Sequence, residues 1–317
     1  MKMTVPTTTR ALLAAALSAA AGCSGSNSAN MVTPVANAAA HAAADHGHSW
    51  MKPGSGKQKL LYVTNSGNGT VTIYTYPALA YAGELTGFSD PLFECVDKSA
   101  HVWIVDYGSG TLSEYAHGGT TPLKQITGLS LPYACAVDTN TGDLAVAFNL
   151  ESSSQHLGEV AVYHQASGDP SIYSDSNFGI ITGLAYDGSG NIFVDGLTSG
   201  DAFHFAELPA GNREFTDITL SQAPSSNGAV VWDGHYVDVG DYSNTIYQTQ
   251  GSTVVKTIDL NLAYPALRGF HFLSPTKLIV ANSYGQNVDL FRYPAGGKVR
   301  KNVSQNLSTP WDVVLSK

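Results

Sequence analysis

The sequence predicts an all-β fold, on three observations. A short run rich in Val, Ile, Tyr and Phe recurs six times at near-constant spacing. Each copy leads through a turn of Gly, Asn, Asp or Ser into another β-type run. No repeating unit shows an apolar 3.6-residue period over ten residues, which excludes a helical solenoid. The six copies are LLYVTN (60–65), VWIVDY (102–107), LAVAFN (144–149), NIFVDG (191–196), HYVDVG (235–240) and KLIVAN (277–282). Measured at Tyr62, Trp103, Ala145, Ile192, Tyr236 and Leu278, the steps are 41, 42, 47, 44 and 42 residues.

The other runs of each unit follow in order. A leading run precedes five copies: PLFECVD (91–97), PYACAVD (132–138), ITGLAYD (181–187), GAVVWDG (228–234) and GFHFLS (269–274). A hairpin partner follows each copy, as in TVTIYTY (70–76) and NVDLFRY (287–293). A fourth, more polar run closes most units, as in PLKQIT (122–127). Four short strands in about 43 residues is the pattern of a β-propeller blade. The expectation is a six-bladed β-propeller of four-stranded antiparallel blades over residues 58–317. The first unit lacks a leading run, because residues 52–59 are turn-like. TPWDVVLS (309–316) supplies the missing strand from the other end of the chain. The C-terminal strand is thus expected to close the ring and remove its open sheet edges.

Composition agrees with this reading and excludes others. Gly is 32 of 317 residues and only 13% of the chain is charged, as many tight turns and apolar faces between sheets require. That is too little charge for a coiled coil. Sixteen Lys and Arg against 25 Asp and Glu give a net charge of −9, and no basic cluster is present. Nucleic-acid binding is therefore not expected.

Residues 1–22 read as a signal peptide of the lipoprotein type. Lys2 and Arg10 flank the start, residues 11–21 form an apolar run too short to span a bilayer, and Ala20-Ala21-Gly22 lead to Cys23. Cys23 is the expected lipidation site. Ordinary cleavage nearby, with Cys23 free, is the alternative. Losing Lys2 and Arg10 takes the net charge from −9 to −11. Residues 23–57, rich in Ser, Ala, Asn and Gly, read as a flexible tether. His41, His46 and His48 within it read as linker residues. The expected product is an exported, membrane-anchored monomer on the periplasmic or cell-surface side.

LYVTNSGNGTVTIYTY resembles the repeat of YVTN-type propellers. PYACAVDTNTGDLAVAF and ITGLAYDGSGNIFVDG resemble the NHL repeat. The resemblance covers nearly all of residues 58–317. It implies a propeller scaffold of the kind found in mostly uncharacterised bacterial lipoproteins. Propellers of this kind range from binding platforms to lactonases and lyases, so the scaffold leaves function open.

Six positions that open the turn after each second strand carry a side-chain oxygen: Asn65, Asp106, Asn149, Asp195, Asp241 and Asn282. Two readings fit them. Asn and Asp open turns by bonding backbone two residues on. Oxygens converging on a channel could also hold Ca²⁺ or another divalent cation. The six-bladed gluconolactonase family, similar in scaffold, holds its metal near this place with Glu, Asn and Asp. Asp97, Asp138, Asp187 and Asp233, on the opposite face, read as turn formers. Glu94 stands where other units carry Cys135, Leu184, Val230, Phe270 and Val313. His271 stands where others carry Ala136, Ala185 and Val231. Both are candidate acids, bases or ligands, because an isolated polar group in an apolar column is costly unless paired or hydrated.

Tyr133, Trp311 and Phe270 are candidate ligand-binding aromatics at the channel mouth, suited to a sugar or another flat ligand, or else packing between blades. Cys95 and Cys135 are a possible disulfide, their side chains on opposite blade faces because they sit one strand position apart. No catalytic motif of spaced residues occurs. The leading expectation is an anchored binding module for an unknown protein, small molecule or carbohydrate. The alternative is a metal-dependent lactonase-like hydrolase using Glu94 and some of the six Asn and Asp residues.

Overall fold

A computed structural model describes residues 47–151 and 156–317. The signal segment with Cys23, the tether up to residue 46 with His41 and His46, and residues 152–155 lie outside the described residues. The described chain is all-β, and its helical elements are two three-residue 3₁₀ turns, Ser55–Lys57 and His164–Ala166.

The first sheet runs, edge to edge, through Trp50–Met51, Ala80–Leu85, Thr70–Tyr76, Lys59–Asn65 and Pro310–Ser316. The second holds Pro91–Val96, Val102–Asp106, Thr111–Tyr115 and Pro122–Thr127. The third holds Pro132–Val137, Leu144–Glu151, His156–Tyr163 and Ser171–Ser174. The fourth holds Ile180–Tyr186, Ile192–Leu197, Phe203–Leu208 and Thr216–Asp217. An eight-stranded sheet follows. One antiparallel group in it is Val230–Trp232, Val237–Gly240, Thr245–Gln250 and Thr253–Asn261. The other is Leu267–Ser274, Lys277–Asn282, Asn287–Arg292 and Gly296–Val303. Their outer strands touch in parallel at Leu260 with Gly297 and Asn261 with Lys298. Two units that the repeat pattern separates thus share an outer edge.

The strands differ in burial from inside to outside. All of Val102–Asp106 is buried, whereas Gly296–Val303 has no buried residue. Second strands are covered on both faces by neighbouring sheets, so they read as continuous apolar runs. Outermost strands face water on one side and turn polar.

The innermost strands stand beside one another. Pro91–Val96 lies between Pro310–Ser316 and Pro132–Val137, and Ile180–Tyr186 lies between Pro132–Val137 and Val230–Trp232. Leu267–Ser274 lies against Pro310–Ser316 and Val237–Gly240. The C-terminal strand pairs antiparallel with Lys59–Asn65, with Tyr62 opposite Val314. Ser316 also donates to the Ala100 carbonyl of the second sheet at 2.7 Å.

The chain joins the innermost strands on one face, here called the upper face. Gly69 and Gly110 show how closely it passes there. Both have positive φ, and a Cβ would lie 2.5 Å from the Phe88 carbonyl oxygen and 2.6 Å from that of Leu129. Residues 47–57, expected from the sequence to belong to a flexible tether, include a strand and a 3₁₀ turn and are held to the first sheet. Trp50–Met51 pairs with Gly83 and Glu84, and the Thr86 hydroxyl donates to the Gly47 carbonyl at 2.9 Å.

Candidate functional site

The six Asn and Asp residues of this column are all buried, and Asn149 and Asp195 lie inside the strands Leu144–Glu151 and Ile192–Leu197 rather than opening a turn. Their oxygens meet backbone N–H groups, several of them where the chain joins an innermost strand. Asp106 accepts from the N–H of Asp90 at 2.7 Å and of Ser89 at 3.0 Å. Asn65 accepts from the N–H of Ser308 at 3.1 Å, Asn149 from Ile181 at 2.8 Å and Asp195 from Gly228 at 2.9 Å. Asp241 accepts from Ser243, Thr245 and Ser225, and Asn282 from Gly285 at 3.0 Å. Asn149 and Asp195 reach the following sheet. The column therefore ties turns and neighbouring sheets together. Burial pushes the Asp195 carboxyl up to about 7, opposed by the Gly228 N–H and the Thr182 hydroxyl.

On the lower face the innermost strands end in Asx turns. Asp97 accepts from Ser99 and His101, Asp138 from Asn140, Asp187 from Ser189 and Asn191, and Asp233 from His235 and Tyr236. Two groups missed in the sequence have donor atoms within reach of one cation: Asp97, His101 and Glu114, and Asp175, His204 and Asp217. Each already holds a hydrogen bond, His101 Nδ1 with Glu114 at 2.8 Å and His204 Nε2 with Asp217 at 3.1 Å. Neither group carries a metal-site motif spacing.

The upper end of the channel is filled by aromatic side chains. Tyr133 packs against Phe93, Tyr107 and Trp311 with ring centroids 5.6, 6.1 and 6.4 Å away. Arg268 lies over both Trp311 and Tyr242, 4.2 Å from each ring centroid. Its Nε donates to Ser283 at 3.3 Å. Burial and the neighbouring Tyr242 hold the Tyr133 hydroxyl well above its usual value. Tyr133 and Trp311 are therefore parts of a packed plug. Phe270 is buried and stacks edge-on against Phe272 at 5.8 Å.

Below the plug is a cavity of about 350 Å³. Residues of the lower turns, Thr139, Asn140, Asp187 and Gly188, form its rim, and none of Tyr107, Tyr133, Tyr242, Arg268 or Trp311 lines it. The channel is thus a blind funnel open to the lower face. Its wall is apolar, with Val96, Ala136, Ala185, Val231 and Phe270. The Cys95–Cys135 disulfide, with Cα atoms 5.7 Å apart, joins the second and third sheets in that wall.

Glu94, Asp312 and His271 also line the cavity. Neither oxygen of Glu94 makes a hydrogen bond of ordinary geometry, and the residue is 4% exposed. Its backbone N–H donates to Asp312 Oδ2 at 3.1 Å, and the Asp312 N–H donates to Thr64 Oγ1 at 3.0 Å. Burial, then the Asp312 charge, holds the Glu94 carboxyl well above the usual range, with the Val314 and Thr64 N–H groups opposing. Burial raises Asp312 too, opposed by the Glu94 and Val313 N–H groups. Enclosure, then the Lys317 charge, lowers His271 to about 4, so it is neutral at pH 7.

Asp312 was not singled out in the sequence, although a signal was present. Aligning the innermost strands puts it in the column of Phe93, Ala134, Gly183, Ala229 and Gly269, where it is the one acid. A Cβ on Gly269 would lie 1.9 Å from Asp312 Oδ1, so the carboxylate takes the space that glycine leaves.

No family model matches the chain, and no curated protein matches it. Solved structures do. The structure is similar to a chain of the crystal structure of a nidogen/laminin complex, with a TM-score of 0.67 at 10% identity over 82% of this chain and 98% of that one. A Bacteroides caccae protein of unknown function gives a TM-score of 0.60 at 12% identity, covering 82% of this chain and 99% of that one. The β-propeller domain of Cps50 (Swd1), from an organism given as Myceliophteria thermophila, gives 0.56 at 11% identity, covering 84% and 88%. At such identities the likeness is one of fold, and the fold is a β-propeller.

Proposed function

We propose that this protein is an exported binding module, a six-bladed propeller closed by its C-terminal strand and held to a membrane through a lipid on Cys23. Its ligand site is the funnel on the lower face. The observation that carries this reading is the asymmetry of the channel, filled with aromatics above and open to a 350 Å³ apolar cavity below. A preformed apolar pocket with a few convergent polar groups is the usual form of a small-molecule site. The nidogen structure, solved as a complex with laminin, supports a propeller used for interaction. The hydrolase alternative has less behind it, because the six Asn and Asp oxygens already accept backbone hydrogen bonds.

Two experiments test the reading. An aromatic fragment library is screened by saturation-transfer NMR against the protein and against Ala136→Phe, which fills the funnel. Hits that disappear in the variant, with its melting temperature retained, support the site. An absence of hits, or hits that persist in the variant, overturns it. Growth of producing cells with an alkyne-tagged fatty acid should label the protein and fail to label Cys23→Ser. Equal labelling overturns the anchor.

A further inference from the structure

We propose that the funnel takes an organic cation: an amine with a small apolar body, its ammonium group seated between Glu94 and Asp312. This rests on the funnel being the ligand site and names what that site selects.

Glu94 is the starting point. Both its oxygens are enclosed, and the N–H groups of Val314 and Thr64 beside them fall short of ordinary hydrogen-bond geometry. An unsatisfied carboxyl group in an apolar setting is expensive. It is also not an accident of a crowded core, since it borders open volume. Asp312 brings a second carboxyl to the same floor, positioned by the Glu94 N–H and by the space over Gly269. A donor-rich cation satisfies what the protein leaves open, through charge-assisted hydrogen bonds made away from water.

The wall decides between kinds of cation. Ca²⁺ requires six to eight oxygen ligands, and Mg²⁺ keeps several waters. The floor offers two carboxyls, and the side chains just above it are Val96, Ala136, Ala185, Val231 and Phe270. Asp187 at the rim is already engaged with Ser189 and Asn191. Such a wall serves a hydrocarbon body and supplies no coordination shell. His271, neutral at pH 7, adds no positive charge of its own to the floor and offers a ring nitrogen as acceptor. Lys317, near His271, makes no ion pair with either carboxyl among the described residues. The net charge of −9 favours cations at long range.

The pH dependence follows. The groups around the floor are Glu94, Asp312, Tyr62, His271 and Lys317. Both carboxyls hold their protons to higher pH than usual, so a bound ammonium expels protons. Amine affinity should therefore rise as the pH rises through about 7, where Asp312 loses its proton.

The test is calorimetric titration of the full chain with benzylamine, with benzyl alcohol of similar shape, and with calcium chloride. Benzylamine should bind about tenfold or more tightly than benzyl alcohol, the worth of one charge-assisted hydrogen bond. Glu94→Gln and Asp312→Asn should each erase that preference while still binding benzyl alcohol, which shows that the variants are folded. Equal affinity for the two probes, or a preference that survives both substitutions, overturns the amine site and leaves the funnel reading standing. Calcium binding that displaces benzylamine overturns it in favour of a metal site. Binding of neither organic probe overturns the funnel reading and the amine site together.

Discussion

The two ends of the channel are built from the same innermost strands and differ in kind. At the upper end Arg268 stacks on Tyr242 and Trp311, Tyr133 packs beside them, and the volume is filled. At the lower end the turns stand apart around an open cavity, with Glu94 and Asp312 on its floor. A ring of sheets leaves a hole on its axis, and side chains must fill it or leave it to solvent. The upper end takes the first course with large flat groups and one cation shared between two rings. The lower end has small side chains, Ala136, Ala185 and Ala229, where large ones would have closed it. Aromatic packing is concentrated at one end, and the unsatisfied chemistry at the other.

Breaking the covalent tie in the lower wall should have the largest effect. Cys95 and Cys135 close a loop with a sequence separation of 40. In the chain-entropy description this is worth about 4 kcal/mol. The Cys95→Ala, Cys135→Ala double variant should lower the urea midpoint accordingly, with an unchanged far-UV spectrum. A midpoint within error of the parent would show that neighbouring sheets already fix the wall without the bridge.

The upper end should respond next. Arg268→Ala removes two cation–aromatic contacts and the bond to Ser283. The expected loss is about 2 kcal/mol, read by denaturant unfolding. Arg268→Lys should recover only part of it, because an ammonium lacks the planar face that lies between two rings. Benzyl alcohol should bind the Ala variant as it binds the parent. A changed affinity would mean that the two ends are coupled.

These two regions were not equally legible in the sequence. Strands and turns followed from residue type and spacing. The four Asp residues below bond turn N–H groups as their position before Gly- or Ser-bearing turns suggests. Which end is filled was not legible, because it depends on side-chain direction at the two ends of one strand. Tyr133 and Trp311 look like ligand-binding aromatics until Arg268, from another strand, is seen over Trp311. The six buried Asn and Asp residues illustrate the same limit. Their identity is plain, yet Asn149 turns to Ile181, 32 residues away, which spacing within a repeat cannot reveal. Glu94 was visible as a misfit in its column. Asp312 was equally visible in the next, but an acid in a strand completed from the far end of the chain is easily passed over.

The effect that isolates the lower end is the dependence of stability on pH. Five buried acids have raised values: Glu94, Asp289, Asp312, Asp195 at about 7 and Asp238 at about 8. For Asp238 the second cause after burial is the charge of Asp233. In the unfolded chain such groups titrate near pH 4. The folded state therefore holds more protons between about pH 4 and pH 8, and stability must fall as pH rises through that window. His271 acts in the opposite direction. Its folded value of about 4 lies below the unfolded value of 6.5, so it costs stability as pH falls from 6.5 to 4. Five acids outweigh one histidine, which places the optimum on the acidic side of neutrality. The melting temperature should be higher near pH 5.5 than near pH 8. Glu94→Gln, which cannot ionise, should reduce that difference, whereas Arg268→Ala should lower both melting temperatures and leave the difference unchanged. An undiminished fall in the Gln variant would move the origin of the pH effect to Asp195 and Asp238. The floor of the funnel would then hold its carboxyls at little cost, and the contrast between the two ends would rest on shape alone.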